Sequence, residues 1–226
     1  MTPTMGSCAC VALVVLLILP TIGESQTVSP TGPALAPVPI NGPAPPLPPD
    51  VIARDAQGRV TVRATRLGEP LVLDGQLDEK VYSSVPSFGD FIQQEPHQGL
   101  RATERTEVWV FFDDKNVYVS ARFWYLHPED IIANEMRRDE SGIIQRNDNI
   151  GVVLDTYYDH RSGIYLNTNP LGAIRDALLT NENRNGNVDY NLVWDTKSRR
   201  FEEGWANRLQ LALELTCTRL EKRIAF

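Results

Sequence analysis

The stretch that most constrains the fold runs from Asp148 to Asp176, DNIGVVLDTYYDHRSGIYLNTNPLGAIRD. Ile150, Val152 and Leu154 alternate with Gly151, Val153 and Asp155, the period of two of a β-strand. Asp159 and Gly163 in YYDHRSG suit a tight turn. A second strand follows in GIYLNTN, then the breaker NPLG, then AIRDALLTNE, with the meander running to about residue 182. Such a meander buries one row of side chains and leaves the other exposed, so the rest of the chain must cover its apolar face.

Charge marks where that covering begins. Glu24 and Asp50 are the only charged side chains in the first 53 residues. Beyond them the composition is that of one domain with a real core. The net charge is −7, and the pairs Arg137-Arg138 and Arg199-Arg200 form no basic stripe, so no nucleic-acid partner is expected. Val11 to Leu19 is an apolar run too short to span a bilayer and broken by Pro20. It reads as the hydrophobic part of a signal peptide over 1–25, though no positive side chain precedes it. Residues 26–50 hold nine prolines, which fix φ and remove donors, so 26–57 is expected to be an extended, disordered linker. Once Cys8 and Cys10 are removed with the leader, Cys217 has no partner within the chain.

Within the domain, VTVRATR (60–66) is a strand candidate and Leu77 to Val85 has apolar residues spaced by four, as in a short helix. FGDFIQQEP (88–96) reads as a further strand. Residues 101–126 read as a hairpin, with Val108, Val110 and Phe112 on one face, DDKN at the turn, and Val117, Val119, Ala121 and Phe123 on one face of the return. One helical turn is expected after Pro128, and a last hairpin around Thr196–Arg199. This spacing of short strands and polar turns implies an all-β sandwich or jelly roll over 58–226, with a β-rich α+β domain as the alternative.

Six segments then occur in order: DGQLDEKVY (74–82), TEVWVFFDDKNVYVSARFW (106–124), ANEMRRDE (133–140), DNIGVVLDTYYDHRSG (148–163), NTNPLGAIRD (167–176) and VWD…FEEGW (193–205). Together they resemble the family 9-like carbohydrate-binding domain found at the N-terminus of large secreted or outer-membrane-associated bacterial proteins. The resemblance covers about 60–205. It implies an immunoglobulin-like or jelly-roll β-sandwich, an oligo- or polysaccharide as partner, and a link to glycoside hydrolases. It also implies a secreted, periplasmic or outer-membrane-associated location, and an outer-membrane partner through a C-terminal region missing here. The chain departs from the family at Tyr82, where members have Trp, and after Trp205, where ANRLQLALELTCTRLEKRIAF replaces the usual strand. The tail 206–226 is therefore expected to be either a substitute strand alternating at Leu209, Leu211, Leu213 and Leu215 or a poorly ordered segment of a truncated member. In either case a marginal domain with an incomplete sugar face is expected.

Studied members clamp sugar between two tryptophans. One position corresponds to the region of Ile144, Gln145 and Arg146, and the other lies beyond this chain; a sugar-contacting glutamate corresponds to Gly151. The remaining candidates for carbohydrate contact are Trp124, Arg146, Asp148 and Asn167. Trp109, Trp194 and Trp205 are read as core, whereas Trp124 lies opposite the Val117–Phe123 face of its strand. No catalytic residue is expected, because Asp74, Asp78 and Glu79 share one turn while glycosidase carboxylates come from separate elements. His97, His127 and His160 lack zinc spacing, and no cofactor or resident metal is expected. Asp113, Asp114 and Asn116 could offer oxygen to calcium, but a hairpin turn calls for the same residues. The reading is a non-catalytic carbohydrate-binding module of an extracytoplasmic protein linked to polysaccharide breakdown. Its alternative is a structural or interaction domain of an outer-membrane-associated protein without sugar affinity.

Overall fold

The structure is a computed structural model that describes residues 42–141, 146–156, 159–181 and 185–212. The chain divides into two units, Met1–Pro37 and Val38–Phe226. The leader and most of the proline-rich linker lie outside the described residues, as do residues 213–226. Among the described residues no helix is long and apolar enough to cross a membrane.

The second unit is a β-sandwich. A five-stranded sheet has the order β10-β11-β5-β4-β3 and a four-stranded sheet the order β6-β7-β8-β9. The first comprises β3 (Thr65–Arg66), β4 (Thr106–Phe112), β5 (Asn116–Trp124), β10 (Trp194–Phe201) and β11 (Gly204–Ala212). The second comprises β6 (Ile150–Leu154), β7 (Gly163–Thr168), β8 (Ile174–Thr180) and β9 (Asn185–Asn187). A separate ribbon pairs β1 (Ile52–Arg54) with β2 (Val60–Val62), so paired structure begins ahead of residue 58.

Between the sheets lies the main core. Val108, Val119, Ala121, Leu209 and Leu211 face Ile164 and Leu166, with Ile150, Val152 and Leu154 packed alongside. The alternation read from the meander fills this core, as does that of the 101–126 hairpin at Val108, Val119, Ala121 and Phe123, while Val110, Phe112 and Val117 pack with Ala64 in a smaller cluster. A second cluster covers the other face of the large sheet. There Trp109, Phe111, Tyr118 and Ala206 pack against Leu77, Val81, Tyr82 and Val85 from the DGQLDEKVY segment.

Three sequence expectations are corrected. Only Val81–Ser84 is helical (α1), while Leu77 packs from outside the helix. Residues 88–96 form isolated bridges at Phe88 and Ile92 instead of a strand. The last hairpin turns at Glu202 and Glu203, not at Thr196–Arg199, because Phe201 pairs with Gly204 and β10 runs straight through. The expected turn after Pro128 is present at Pro128–Asp130.

The tail forms a strand as far as Ala212. β11 pairs along its whole length with β5 on one side and from Gly204 to Leu211 with β10 on the other. Leu209 and Leu211 are 2% and 0% exposed; Leu213 and Leu215 lie outside the described residues. On the opposite face of β11, Arg208 is fully buried. Its Nη1 donates to the carbonyl of Val72, and its Nη2 donates to the carbonyl of Gln76 and, at 2.6 Å, to Glu79. Its Nε donates to the Tyr82 hydroxyl at 3.1 Å, and that oxygen lies 2.7 Å from Ser120 Oγ. The DGQLDEKVY segment is thus wrapped around one guanidinium, whose planar fork suits several fixed acceptors.

Candidate functional site

The candidate site lies on the outer face of the four-stranded sheet, and the loop before β6 fixes its edge. Asn147 Oδ1 accepts from the backbone N–H of Asn134 at 2.6 Å and of Glu135 at 3.2 Å. Asn169, fully buried, donates to the Glu135 carbonyl at 2.7 Å and accepts from Leu171 and Ala173 N–H, each at 3.0 Å. Asp176 accepts from Arg138 Nη2 at 2.7 Å and from Leu192 N–H at 2.6 Å. The segments ANEMRRDE, DNIG, NTNPLG and AIRD are therefore parts of one hydrogen-bonded frame. Buried polar groups of this kind specify a geometry because each unmet partner costs about 1–3 kcal/mol.

Upon this frame β6, β7 and β8 align Gly151, Asn167 and Arg175 in one cross-strand row. In the next row Val153, Tyr165 and Ala177 are aligned. Ile164 and Leu166 point into the core, so Tyr165 and Asn167 face away from it. Gly151 makes room for an aromatic ring: a Cβ there would stand 2.9 Å from both Cε2 and the hydroxyl oxygen of Tyr165. Burial pushes the Tyr165 hydroxyl above its ordinary pKa, with Arg175 and Asn167 pulling the other way.

Asn167 has no exposure at all. Its Nδ2 donates to Asn149 Oδ1 at 2.7 Å and to the Ile150 carbonyl at 3.1 Å. Its Oδ1 and the Nε of Arg175 are buried without a hydrogen-bond partner. The face thus offers an amide acceptor, a guanidinium donor and an aromatic ring, the groups that hydroxyl-rich ligands use.

The four residues singled out from sequence do not converge. Asn167 sits in the row just described. Asp148 belongs to the frame: it accepts from Ile132 N–H at 2.7 Å, and its own N–H donates to the Ile132 carbonyl at 2.9 Å. Arg146 is exposed ahead of β6. Trp124 lies on the far side of the other sheet, with Arg105 4.4 Å and Arg122 5.6 Å from its ring centroid. Tyr165 and Arg175 were missed, because only the strand register brings them beside Asn167. Trp109, Trp194 and Trp205 are buried, as expected of core.

Asp74, Glu79 and Asp113 are occupied structurally. Asp74 accepts from Gln76 N–H at 2.8 Å, and Glu79 serves Arg208. Asp113 Oδ1 accepts from Lys115 and Asn116 N–H, each at 2.7 Å, while Oδ2 accepts from the Tyr118 hydroxyl at 2.7 Å. Among the described residues no three His, Cys, Asp or Glu side chains are grouped to hold a metal.

The sequence matches no protein-family model and no curated protein. Among solved structures, the fold matches a family 9 carbohydrate-binding module from Caldicellulosiruptor kristjanssonii in complex with glucose. Identity is 16%, the match covers 69% of this chain and 70% of that one, and the TM-score is 0.47. A second structure of such a module from that organism, in complex with cellotriose, matches at 17% identity, 68% coverage of each chain and the same TM-score.

Proposed function

We propose that this chain is a non-catalytic carbohydrate-binding module whose ligand face is the outer row of β6, β7 and β8. The observation that carries the reading is the pair of buried, unpartnered polar atoms, Asn167 Oδ1 and Arg175 Nε, beside the Tyr165 ring. A sugar hydroxyl meeting Asn167 Oδ1 removes a desolvation cost of about 1–3 kcal/mol. Tyr165 turns off Gly151 to stack on the pyranose and to uncover that atom. In the same reading the sandwich is of the immunoglobulin-like or jelly-roll kind and follows a secretion signal and a proline-rich tether. It works outside the cytoplasm, beside polysaccharide-degrading activity.

The test is a glycan array and calorimetric titration of the full chain, with glucose and cello-oligosaccharides among the probes. Binding that is lost in both Tyr165→Ala and Asn167→Ala, with folding intact by circular dichroism, supports the reading. A second reading, an interaction domain without sugar affinity, is favoured by one observation. Trp109, Trp124, Trp194 and Trp205 all belong to the five-stranded sheet, leaving no tryptophan on the candidate face. A silent array from folded protein selects that reading.

A further inference from the structure

The polar row of the β6–β8 face holds one group that a neutral sugar leaves short of a partner. Arg175 is half-buried on β8, directly opposite Asn167 of β7. Its Nε is buried without an acceptor, and among the described residues its guanidinium forms neither a hydrogen bond nor an ion pair. Other arginines are provided for. Arg63, Arg122 and Arg200 each donate to a backbone carbonyl, and Arg137, Arg138 and Arg208 each pair with an acid. Arg146, Arg161 and Arg199 are exposed and keep their water. Arg175 has lost part of its water and gained nothing in exchange, which is costly for a cation.

The carboxylates of the adjoining frame are committed elsewhere. Asp176 holds Arg138 and the Leu192 N–H, and Asp139 takes Arg138 Nε at 3.2 Å and the Asp176 N–H at 3.3 Å. Glu135 and Glu140 both take Arg137. The two outer rows, Gly151-Asn167-Arg175 and Val153-Tyr165-Ala177, contain no carboxylate. The face is therefore locally positive in a chain of net charge −7. Nε with one Nη makes a side-on fork that takes both oxygens of a carboxylate. Facing side chains on paired strands start about 5 Å apart, a gap that a carboxylate and a hydroxyl on adjacent ring carbons can bridge. We infer that the ligand of this face is an acidic saccharide, with a uronic acid carboxylate on Arg175 and the neighbouring hydroxyl donating to Asn167 Oδ1. The inference rests on the reading of this face as the sugar site, and it keeps Tyr165 as the stacking ring. A neutral hexose puts a hydroxymethyl group where the carboxylate would lie, and leaves the charge unmet.

The experiment titrates the full chain with sodium glucuronate, glucose and inorganic phosphate, read by calorimetry at low and high salt. Glucuronate is expected to bind about tenfold more tightly than glucose at low salt, as one charge-assisted contact implies, with the advantage shrinking as salt rises. The readout is the ratio of the two affinities. In Arg175→Gln that ratio should fall to about one. Arg175→Lys keeps the charge and loses the fork, so it should lower the ratio about threefold, and it serves should Arg175→Gln fail to fold. Phosphate should bind more weakly than glucuronate, because it offers no ring to Tyr165. Equal affinity for glucuronate and glucose, or a preference that survives in both Arg175 variants, overturns the inference and leaves the sugar-site reading standing. Phosphate binding as tightly as glucuronate overturns the assignment to a saccharide. No binding of either sugar by folded protein overturns the inference and the reading together.

Discussion

Arg208→Met is the sharpest test of how the large sheet holds its cover. The side chain is fully buried, and Met replaces its aliphatic length while removing the fork. The carbonyls of Val72 and Gln76 lose their donor, and Glu79 loses its cation. Breaking a buried pair from one side costs about 3–5 kcal/mol. Glu79 is 28% exposed and can regain some water, which sets the expectation at the lower end, about 3 kcal/mol. For a chain of this size that is about 6–12 °C in melting temperature. Urea unfolding of wild type, Arg208→Met, Glu79→Gln and the double variant gives the coupling directly. The double variant should lose less than the sum of the singles by about 1 kcal/mol or more, because either single strands a polar partner. A loss below about 1 kcal/mol for Arg208→Met, or strict additivity, would refute the clamp.

Other outcomes follow from the same structure. Leu211→Ala should cost about 2–5 kcal/mol by denaturant unfolding, since a fully buried leucine on a central strand leaves a cavity; a loss within about 0.5 kcal/mol would show that β11 is not structural. Gly75→Ala should destabilise, because the residue has φ +80° and its Cβ would press on the backbone of β10; an unchanged melting temperature would count against that contact. The Asp113–Tyr118 hydrogen bond should give the fold two pH edges. Burial pushes Asp113 up, but hydrogen bonds from Lys115, Tyr118 and Asn116 hold its carboxyl below the usual range. Its contribution is present at neutral pH and lost as pH falls below the carboxylate range, and Asp113→Asn should flatten that acid limb. Burial first, and then Asp113, push Tyr118 up to about 12. Its contribution is intact below the usual tyrosine pKa and lost as pH rises from there through about 12, a limb that Tyr118→Phe should remove.

The fold was legible wherever one face of a strand is apolar. Val108, Val110 and Phe112, and Ile150, Val152 and Leu154, gave β4 and β6 by alternation alone. The β10 turn was misplaced because β10 is an edge strand. Asp195, Lys197 and Arg199 face solvent, and even the inward Thr196 is polar, bonding the Arg208 carbonyl and Asn207. A strand polar on both faces reads as a loop. Of the candidate face, Asn167 could be read from position, but Tyr165 and Arg175 depend on cross-strand register, which periodicity does not carry. Arg208 was hidden for a different reason: its partners lie more than a hundred residues away in sequence, in Val72, Gln76 and Glu79. Asp74, Asp78 and Glu79 lie in the turn and just ahead of α1, but what Glu79 holds was visible only in three dimensions.

The placement of β11 bears on how the chain comes into being. It follows every other described strand in sequence, yet lies between β10 and β5 in the large sheet. During synthesis β4 and β5 can zip as a local hairpin early, while one edge of β5 waits until the ribosome has traversed everything from Trp124 to Gly204. Through that interval Val117, Val119 and Ala121 have no β11 partners, and a row of backbone donors and acceptors stands open. Pairing across so long a separation is slow to form. The nascent sheet therefore passes through a sticky stage, with one edge of β5 uncovered, that ends only when the β10–β11 hairpin slots into place.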